Sequence, residues 1–80
     1  MVFLNLDSLD KVTNLVKVCE KYDSIDFDVV YGRYVIDGKS VLGVTSLIGH
    51  IIKIVPNTND VLLLGYVVKD LEEIGAWQTK

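Results

Sequence analysis

The spacing of apolar residues along the chain changes several times, and each change predicts a boundary between elements. Residues 2 to 6 alternate well enough for a short strand. In the next segment the apolar residues lie three and four positions apart, which is typical of one buried helix face, and Asp7 or Ser8 can cap its start. The predicted buried face of this first helix comprises Val12, Leu15, Val16, Cys19 and Tyr22.

The middle of the chain returns to a two-residue period and predicts a β-hairpin. Residues 25 to 29 alternate apolar side chains with aspartates, a turn follows at Gly32, and Tyr34 with Ile36 continues the pattern. Ser40 then opens a second predicted helix, which we expect to run almost to Gly49. Its apolar set is Val41, Val44, Leu47 and Ile48.

The last third of the chain predicts one strand and one helix. Residues 51 to 56 are rich in β-branched side chains and end at Pro56. Residues 61 to 68 fit either a buried strand or a helix, but the charges that follow at helical spacing favour a helix, with Thr58 or Asn59 as its cap. The helical stripe is Leu64, Val67, Val68, Leu71 and Ile74.

The resulting order is β-α-β-β-α-β-α, and it predicts an α+β fold with one mixed or antiparallel sheet and three helices on one face. We expect residues 1 to 80 to form a single domain, because a chain this short buries only about 60% of the surface that its unfolded form exposes.

Composition and charge exclude several classes of function. A net charge of −3 without a basic stripe argues against a nucleic-acid partner. The longest apolar run is far shorter than the ~20 residues of a membrane helix, and the start lacks the features of a signal peptide, so we expect a cytoplasmic protein that does not bind membranes. Cys19 and His50 are each the only residue of their type, which predicts no disulfide, metal or cofactor site, and we expect His50 at the end of the second helix.

The triplet Gly38-Lys39-Ser40 suggests three roles. A nucleotide-binding P-loop requires glycine at position 33, where the chain has Arg33, and the residues between read as strand. The structural role is that Ser40 caps the second helix, which contributes about 1 kcal/mol. An additional role is phosphorylation of Ser40, which would add charge for a partner to detect without unfolding the domain.

The segment from Gly38 to Gly43, with the predicted order of elements around it, resembles the HPr family, the histidine-containing phosphocarriers of the bacterial phosphoenolpyruvate:sugar phosphotransferase system. The resemblance covers nearly the whole chain from Lys11 onward. It implies an open-faced β-sandwich, regulatory phosphorylation of Ser40 by a serine kinase, and protein partners that dock at Val41, Leu42 and Thr45. For Val41 and Leu42, packing into the core is an equally good alternative.

The chain departs from this family before the first helix. Family carriers place a phosphate-accepting histidine, followed by arginine and proline, in the loop that leads into that helix. Here the loop is shorter, Ser8 lies roughly at the histidine position, and Asp7 and Asp10 would repel a phosphate. A serine phosphate is moreover a stable ester. We therefore expect no enzyme and no histidine relay, but a regulatory or protein-binding module.

Two alternative functions would depend on other residues. The protein could still carry a phosphoryl group on an unconventional acceptor, Ser8 or His50. It could also be a structural subunit that forms homo-oligomers through its last helix, where three apolar side chains lie beyond the predicted core stripe: Leu62, Leu63 and Tyr66.

Overall fold

A computed structural model describes residues 1–79 and confirms the α+β class. The expected elements occur in the expected order, and a short additional strand follows the last helix. The elements are β1 (Val2–Leu6), α1 (Leu9–Lys21), β2 (Asp26–Tyr31), β3 (Tyr34–Asp37), α2 (Val41–Thr45), β4 (His50–Asn57), α3 (Val61–Glu73) and β5 (Trp77–Gln78).

The five strands form one open sheet in the order β3-β2-β4-β1-β5, and every neighbouring pair is antiparallel. The period of two in the sequence appears as one covered and one open face of this sheet. Leu4 of β1, Ile52 of β4 and Val29 of β2 point to the covered face and are fully buried. On the open face, Phe3 lies opposite Lys53, and Lys53 lies opposite Val30.

Helix α1 provides most of the helical side of the core. Ser8 is its cap and accepts a hydrogen bond from the backbone N–H of Lys11 at 3.3 Å, so Ser8 and not Asp7 has this role. The predicted stripe is buried with Val18 in addition, while Tyr22 lies at the helix end and is half-buried.

A polar cluster joins the end of α1 to α3. The Tyr22 hydroxyl and the Lys21 ammonium both donate to Oδ2 of Asp70, at 2.5 and 2.9 Å. These hydrogen bonds, the one from Tyr22 foremost, favour the ionised carboxylate and lower the pKa of Asp70. The cluster therefore links the two long helices at their solvent-exposed edge.

Helix α2 is shorter than the sequence suggests, and the prediction that it extends almost to Gly49 is wrong. The Ser46 hydroxyl donates to the carbonyl oxygen of Gly43 at 2.5 Å, and the N–H groups of residues 46 to 48 bond to carbonyls three positions back. Gly49 then adopts a positive φ of 98° and its N–H donates to the carbonyl of Leu6 at 2.8 Å, which begins β4. Leu47 lies in this turn and is buried, whereas Val41 and Ile48 are exposed.

A polar cap precedes helix α3, and a glycine with positive φ follows it. Its cap is Asp60, whose Oδ1 accepts the N–H of Leu63 at 3.1 Å, and the expectation of Thr58 or Asn59 is wrong. Thr58 supports the turn instead, since its hydroxyl accepts the N–H of Asp60. After the helix, Gly75 with φ 105° turns the chain back so that Trp77 pairs with Phe3 as β5.

Candidate functional site

The segment that leads into α2 is held to the core by a glycine. The N–H of Gly38 donates to the carbonyl of Phe27 at 2.8 Å. A Cβ on Gly38 would lie 2.9 Å from both the Cys19 Sγ and the Phe27 Cβ, which is closer than a Cβ packs against other side-chain atoms. The glycine of the Gly-Lys-Ser triplet is thus explained by close packing, without a phosphate-binding loop.

Ser40 caps α2 as predicted. Its Oγ accepts the N–H of Gly43 at 3.2 Å, and its carbonyl accepts the N–H of Val44 at 2.9 Å. Gly43 is required beside it because a Cβ there would lie 2.7 Å from the Ile36 Cγ2. Ser40 is half-buried, and its backbone is in the extended region that suits a cap.

One cation and one carboxylate flank Ser40. Lys39 donates its Nζ to the carbonyl of Asp23 at 3.0 Å and its backbone N–H to Oδ1 of Asp37 at 2.9 Å. The lysine is therefore next to Ser40 in sequence but is directed towards the loop after α1. Neither bond involves the Ser40 hydroxyl.

The start of α2 exposes two apolar side chains, and this answers the question that the sequence left open. Val41 is 52% exposed and Leu42 is 87% exposed, whereas Val44 is the residue of this helix that is fully buried. Thr45 is half-buried, and its hydroxyl donates to the carbonyl of Val41 at 2.6 Å. Val41, Leu42 and Thr45 are called the α2 surface below.

The polar side chains at the start of α1 contact one another and the local backbone. The Ser8 hydroxyl accepts the N–H of Lys11, and the Lys11 ammonium lies 3.6 Å from Oδ1 of Asp7 and donates to the carbonyl of Asn5 at 3.2 Å. The cation of this loop is thus partly neutralised by a neighbouring carboxylate. Such an arrangement offers little attraction to a phosphate.

His50 lies elsewhere than expected. It is the first residue of β4, not the end of α2, because α2 stops at Thr45. Its cross-strand partner is Leu6, the last residue of β1, and its ring stacks on that of Tyr31 with centroids 4.2 Å apart. The exposed imidazole therefore lies in the strand adjacent to the one that leads into α1, in a shallow cleft that Tyr34 and Ser46 also line.

Sequence reasoning missed this contact because it depends on register. Leu6 and His50 are 44 positions apart, and only the pairing of β1 with β4 brings them together. The signal that was available was the short distance from Gly49 to a strand rich in β-branched residues, which favours placing His50 in that strand.

Cys19 is a core residue and not a reactive thiol. It is fully buried, and burial is the main cause that raises its pKa to about 12. With this pKa the sulfur is protonated at neutral pH. It is therefore unreactive, because the thiolate is the nucleophilic form. The prediction that Cys19 serves as a small hydrophobe is consistent with this position.

Acidic residues of the described chain do not converge on a metal site. Asp28 and Asp37 face each other across the β2–β3 hairpin, and Asp28 accepts a hydrogen bond from Asn57 at 3.1 Å. Among residues 1–79, no three His, Cys, Asp or Glu side chains come close enough together to hold a metal ion. Within the same residues, the helices are too short and too polar to span a bilayer.

The outer side of α3 is apolar, but not entirely as predicted. Leu62 and Tyr66 are 79% and 64% exposed, whereas Leu63 turns inward and packs partly against the core. Val61, which the sequence did not single out, is 80% exposed. Val61, Leu62 and Tyr66 are called the α3 surface below.

Comparison of the chain with family models, with curated proteins and with solved structures gives no match.

Proposed function

We propose that this protein is an HPr-like protein-binding module whose α2 surface contacts a protein partner and whose Ser40 accepts a regulatory phosphate. One observation carries the proposal: two exposed apolar side chains, Val41 and Leu42, directly follow the serine that caps their helix. A modification of that serine is therefore adjacent to the contact that it regulates.

The physical effect of a phosphate on Ser40 is a local change of charge. Phosphorylation adds about −1.5 to −2 charges and several acceptor oxygens. One of these oxygens can accept the N–H of Gly43 in place of the present hydroxyl, so the cap is retained. The five residues of α2 give only a weak macrodipole, and the first N–H groups of the helix contribute most of the stabilisation.

A partner would detect this charge at Leu42. An apolar partner surface, or one that carries carboxylates, would lose affinity when about two negative charges lie two residues away, whereas an arginine cluster would gain affinity. In both cases the fold stays intact, because Ser40 is only half-buried.

A histidine relay is not part of the leading proposal. The position before α1 where the family has its histidine carries Ser8, whose hydroxyl caps the helix, and Lys11 pairs with Asp7 there. Phosphoryl transfer requires a labile bond and a cationic environment for the phosphate, and a serine ester beside aspartates provides neither.

A second candidate function is phosphoryl transfer through His50, which one specific observation favours. His50 pairs with Leu6 and so lies in the strand next to the one that leads into α1. Its imidazole is exposed and its ring orientation is fixed by stacking on Tyr31. A partner enzyme that docks near the start of α1 would therefore find an accessible imidazole close by.

The leading proposal is tested by phosphorylation with the serine kinase of the phosphotransferase system and ATP. We expect one phosphate per chain in the wild-type protein and none in Ser40→Ala. Ser46→Ala is the matched control, since Ser46 is an exposed serine in the turn after the same helix, and it should be labelled like the wild type. Labelling of Ser40→Ala at the wild-type level would disprove the assignment.

The contact itself is tested by measuring the affinity of the same kinase for two charge variants. Leu42→Glu should weaken binding at least tenfold, because it places a carboxylate in the α2 surface. Val35→Glu, which changes a similarly exposed apolar residue on the open face of the sheet, should bind as the wild type does. Equal affinities of all three proteins would exclude the α2 surface as the contact.

The second candidate is separated from the first by incubation with phosphoenolpyruvate and the first enzyme of the phosphotransferase system. An acid-labile phosphate on the wild-type protein that is absent from His50→Gln would establish His50 as an acceptor. Absence of any acid-labile label would remove this candidate and leave the Ser40 proposal untouched.

A further inference from the structure

We infer that α3 pairs with the α3 of a second copy of this chain, with the two helices antiparallel and crossing at Gly65. The inference is independent of the proposed role of Ser40, because it concerns another helix and another surface. It begins from the three exposed side chains of the α3 surface, which lie around Gly65 on the side of the helix that faces away from the sheet.

Within residues 1–79, nothing around Gly65 requires a glycine at this position. A Cβ at this position would meet nothing within 4 Å, and the backbone there is not in the left-handed region. Glycine in the middle of a helix is unfavourable relative to alanine. Glycine is well suited, however, to a point where another backbone approaches closely, and the exposed apolar side chains on both sides of it would be covered by that approach.

Charge selects a second copy in the antiparallel orientation. The same side of α3 continues to Lys69 and Glu72, which are both exposed. A parallel pair would place Lys69 against Lys69 and Glu72 against Glu72, and like charges at contact distance are unfavourable. An antiparallel pair separates these like charges and places Lys69 of each copy beside the start of the other α3, where Asp60 carries a carboxylate of opposite charge.

Antiparallel pairing also gives each apolar side chain a partner. With Gly65 on the two-fold axis, Val61 of one copy lies near Lys69 of the other, whose aliphatic stem can cover it. Leu62 and Tyr66 then lie close to the axis and fill the space beside the two glycines. Every contact away from the axis occurs twice, as a two-fold interface requires.

The exposed area predicts a weak dimer. The three side chains of the α3 surface offer on the order of 400 Å² per copy, about half of what one partner contributes to an interface of standard size. We therefore expect a dissociation constant in the micromolar range or weaker, and a dimer that forms only at high protein concentration.

The open face of the sheet is the main competing surface for a second copy. It also exposes apolar side chains, Val35, Ile51 and Trp77 among them. Its central position, however, is occupied by Lys53, which pairs across the sheet with Phe3 on one side and Val30 on the other. Two such faces stacked on each other would bring two ammonium groups into an apolar contact, so the α3 surface is favoured.

Sedimentation equilibrium of the wild-type chain from about 10 µM to about 1 mM tests the association. We expect the mean mass to rise towards that of a dimer, and Leu62→Glu to weaken the association at least tenfold. Gly65→Leu should do the same, because its side chain keeps the helices apart, and open space around Gly65 means that the monomer tolerates it. Val35→Glu is the matched control and should dimerise as the wild type does.

Three results would overturn the inference. The first is a wild-type protein that stays monomeric over the whole range. The second is a dimer that Leu62→Glu and Gly65→Leu leave unchanged. The third is a dimer that Val35→Glu abolishes, which would assign the interface to the sheet.

Oxidative cross-linking tests the orientation of the helices. Cys19 is buried, so an introduced cysteine is the reactive thiol under native conditions. A mixture of Val61→Cys and Lys69→Cys chains should cross-link to each other, and each variant alone should not. Rapid cross-linking of Val61→Cys with itself would indicate a parallel pair and contradict the proposed geometry.

Discussion

Gly38 and Cys19 share a tight contact beneath the start of α2, and this contact sets the position of the candidate site. The sulfur of Cys19 lies only 2.9 Å from the position that a Cβ on residue 38 would take, and the N–H of Gly38 bonds to the β2 backbone. The cap residue Ser40 follows two positions later, so its place over the sheet depends on two residues that have no chemical role. Interior packing of this density tolerates little change of volume.

Burial of Cys19 predicts a loss of stability in alkaline solution. The folded chain raises the thiol pKa to about 12, while the unfolded chain releases this proton near 9. Above that value the unfolded state binds fewer protons, so the free energy of unfolding should fall by about 1.4 kcal/mol per pH unit until the folded pKa is reached. Urea unfolding at pH 7, 9 and 10 measures this fall.

Cys19→Ala provides the comparison, because lysines and tyrosines also titrate in this range. The variant should be less stable at pH 7 owing to its smaller side chain, and its deficit should shrink as the pH rises from 9 to 10. A deficit that does not change with pH would show that the thiol remains protonated in both states or ionised in both.

At the scale of elements, two glycines are expected to respond oppositely to the same change, one in the turn before α2 and one inside α3. Gly65→Ala should raise the free energy of unfolding of the monomer by about 0.5–1 kcal/mol, since it adds helix propensity and meets nothing. Gly38→Ala should lower it by about 1–3 kcal/mol, because the new methyl group overlaps Phe27 and Cys19. Denaturant unfolding at low protein concentration measures both.

The two variants also test the surroundings inferred for each glycine. If Gly38→Ala is as stable as the wild type, close packing does not require glycine at this position. If Gly65→Ala is destabilised in the monomer, the open space around residue 65 is occupied by something within the chain itself.

Most of the elements could be predicted from local patterns. Strand β1, the hairpin and the stripe of α1 follow from side-chain spacing, because each presents one face to a continuous core. The end of α2 could not be placed in this way. Leu47 is buried and continues the helical spacing of apolar residues, although α2 ends at Thr45. The hydroxyls of Thr45 and Ser46, which bond to carbonyls of α2, are part of that turn.

The sequence was sufficient to predict that Ser40 caps α2, but not which side chains of α2 are exposed. Ser40 is a cap by residue type, and the structure agrees. Whether Val41 or Val44 enters the core depends on how the helix is rotated over the sheet, and a helix of five residues has too few positions to reveal this. The placement of His50 and the strand β5 depend on pairing between distant segments, for which a single sequence has no local signal.

At the scale of the whole molecule, β5 protects the edge of the sheet. This strand has two residues, yet it covers β1, and Trp77 stacks on Phe3 with ring centroids 6.2 Å apart. Removal of residues 77 to 80 should leave β1 as an unpaired edge with an exposed aromatic ring, and we expect aggregation on heating and a lower midpoint of thermal unfolding. Light scattering during a thermal scan measures both effects.

Trp77→Thr separates the two contributions of β5. It keeps the backbone pairing and removes the stacked ring, so it should lower the midpoint without causing aggregation. Unchanged solubility and an unchanged midpoint in the truncated chain would show that β5 does not protect the sheet.

The backbone amine and carbonyl of Met1 bond to the carbonyl and N–H of Thr79, at 3.0 and 2.9 Å, so both ends of the described chain emerge at one corner. That corner lies at the β5 edge of the sheet, and α2 contacts β3 at the opposite edge. A fluorophore or surface tether attached at either end would therefore leave Leu42 accessible to a binding partner.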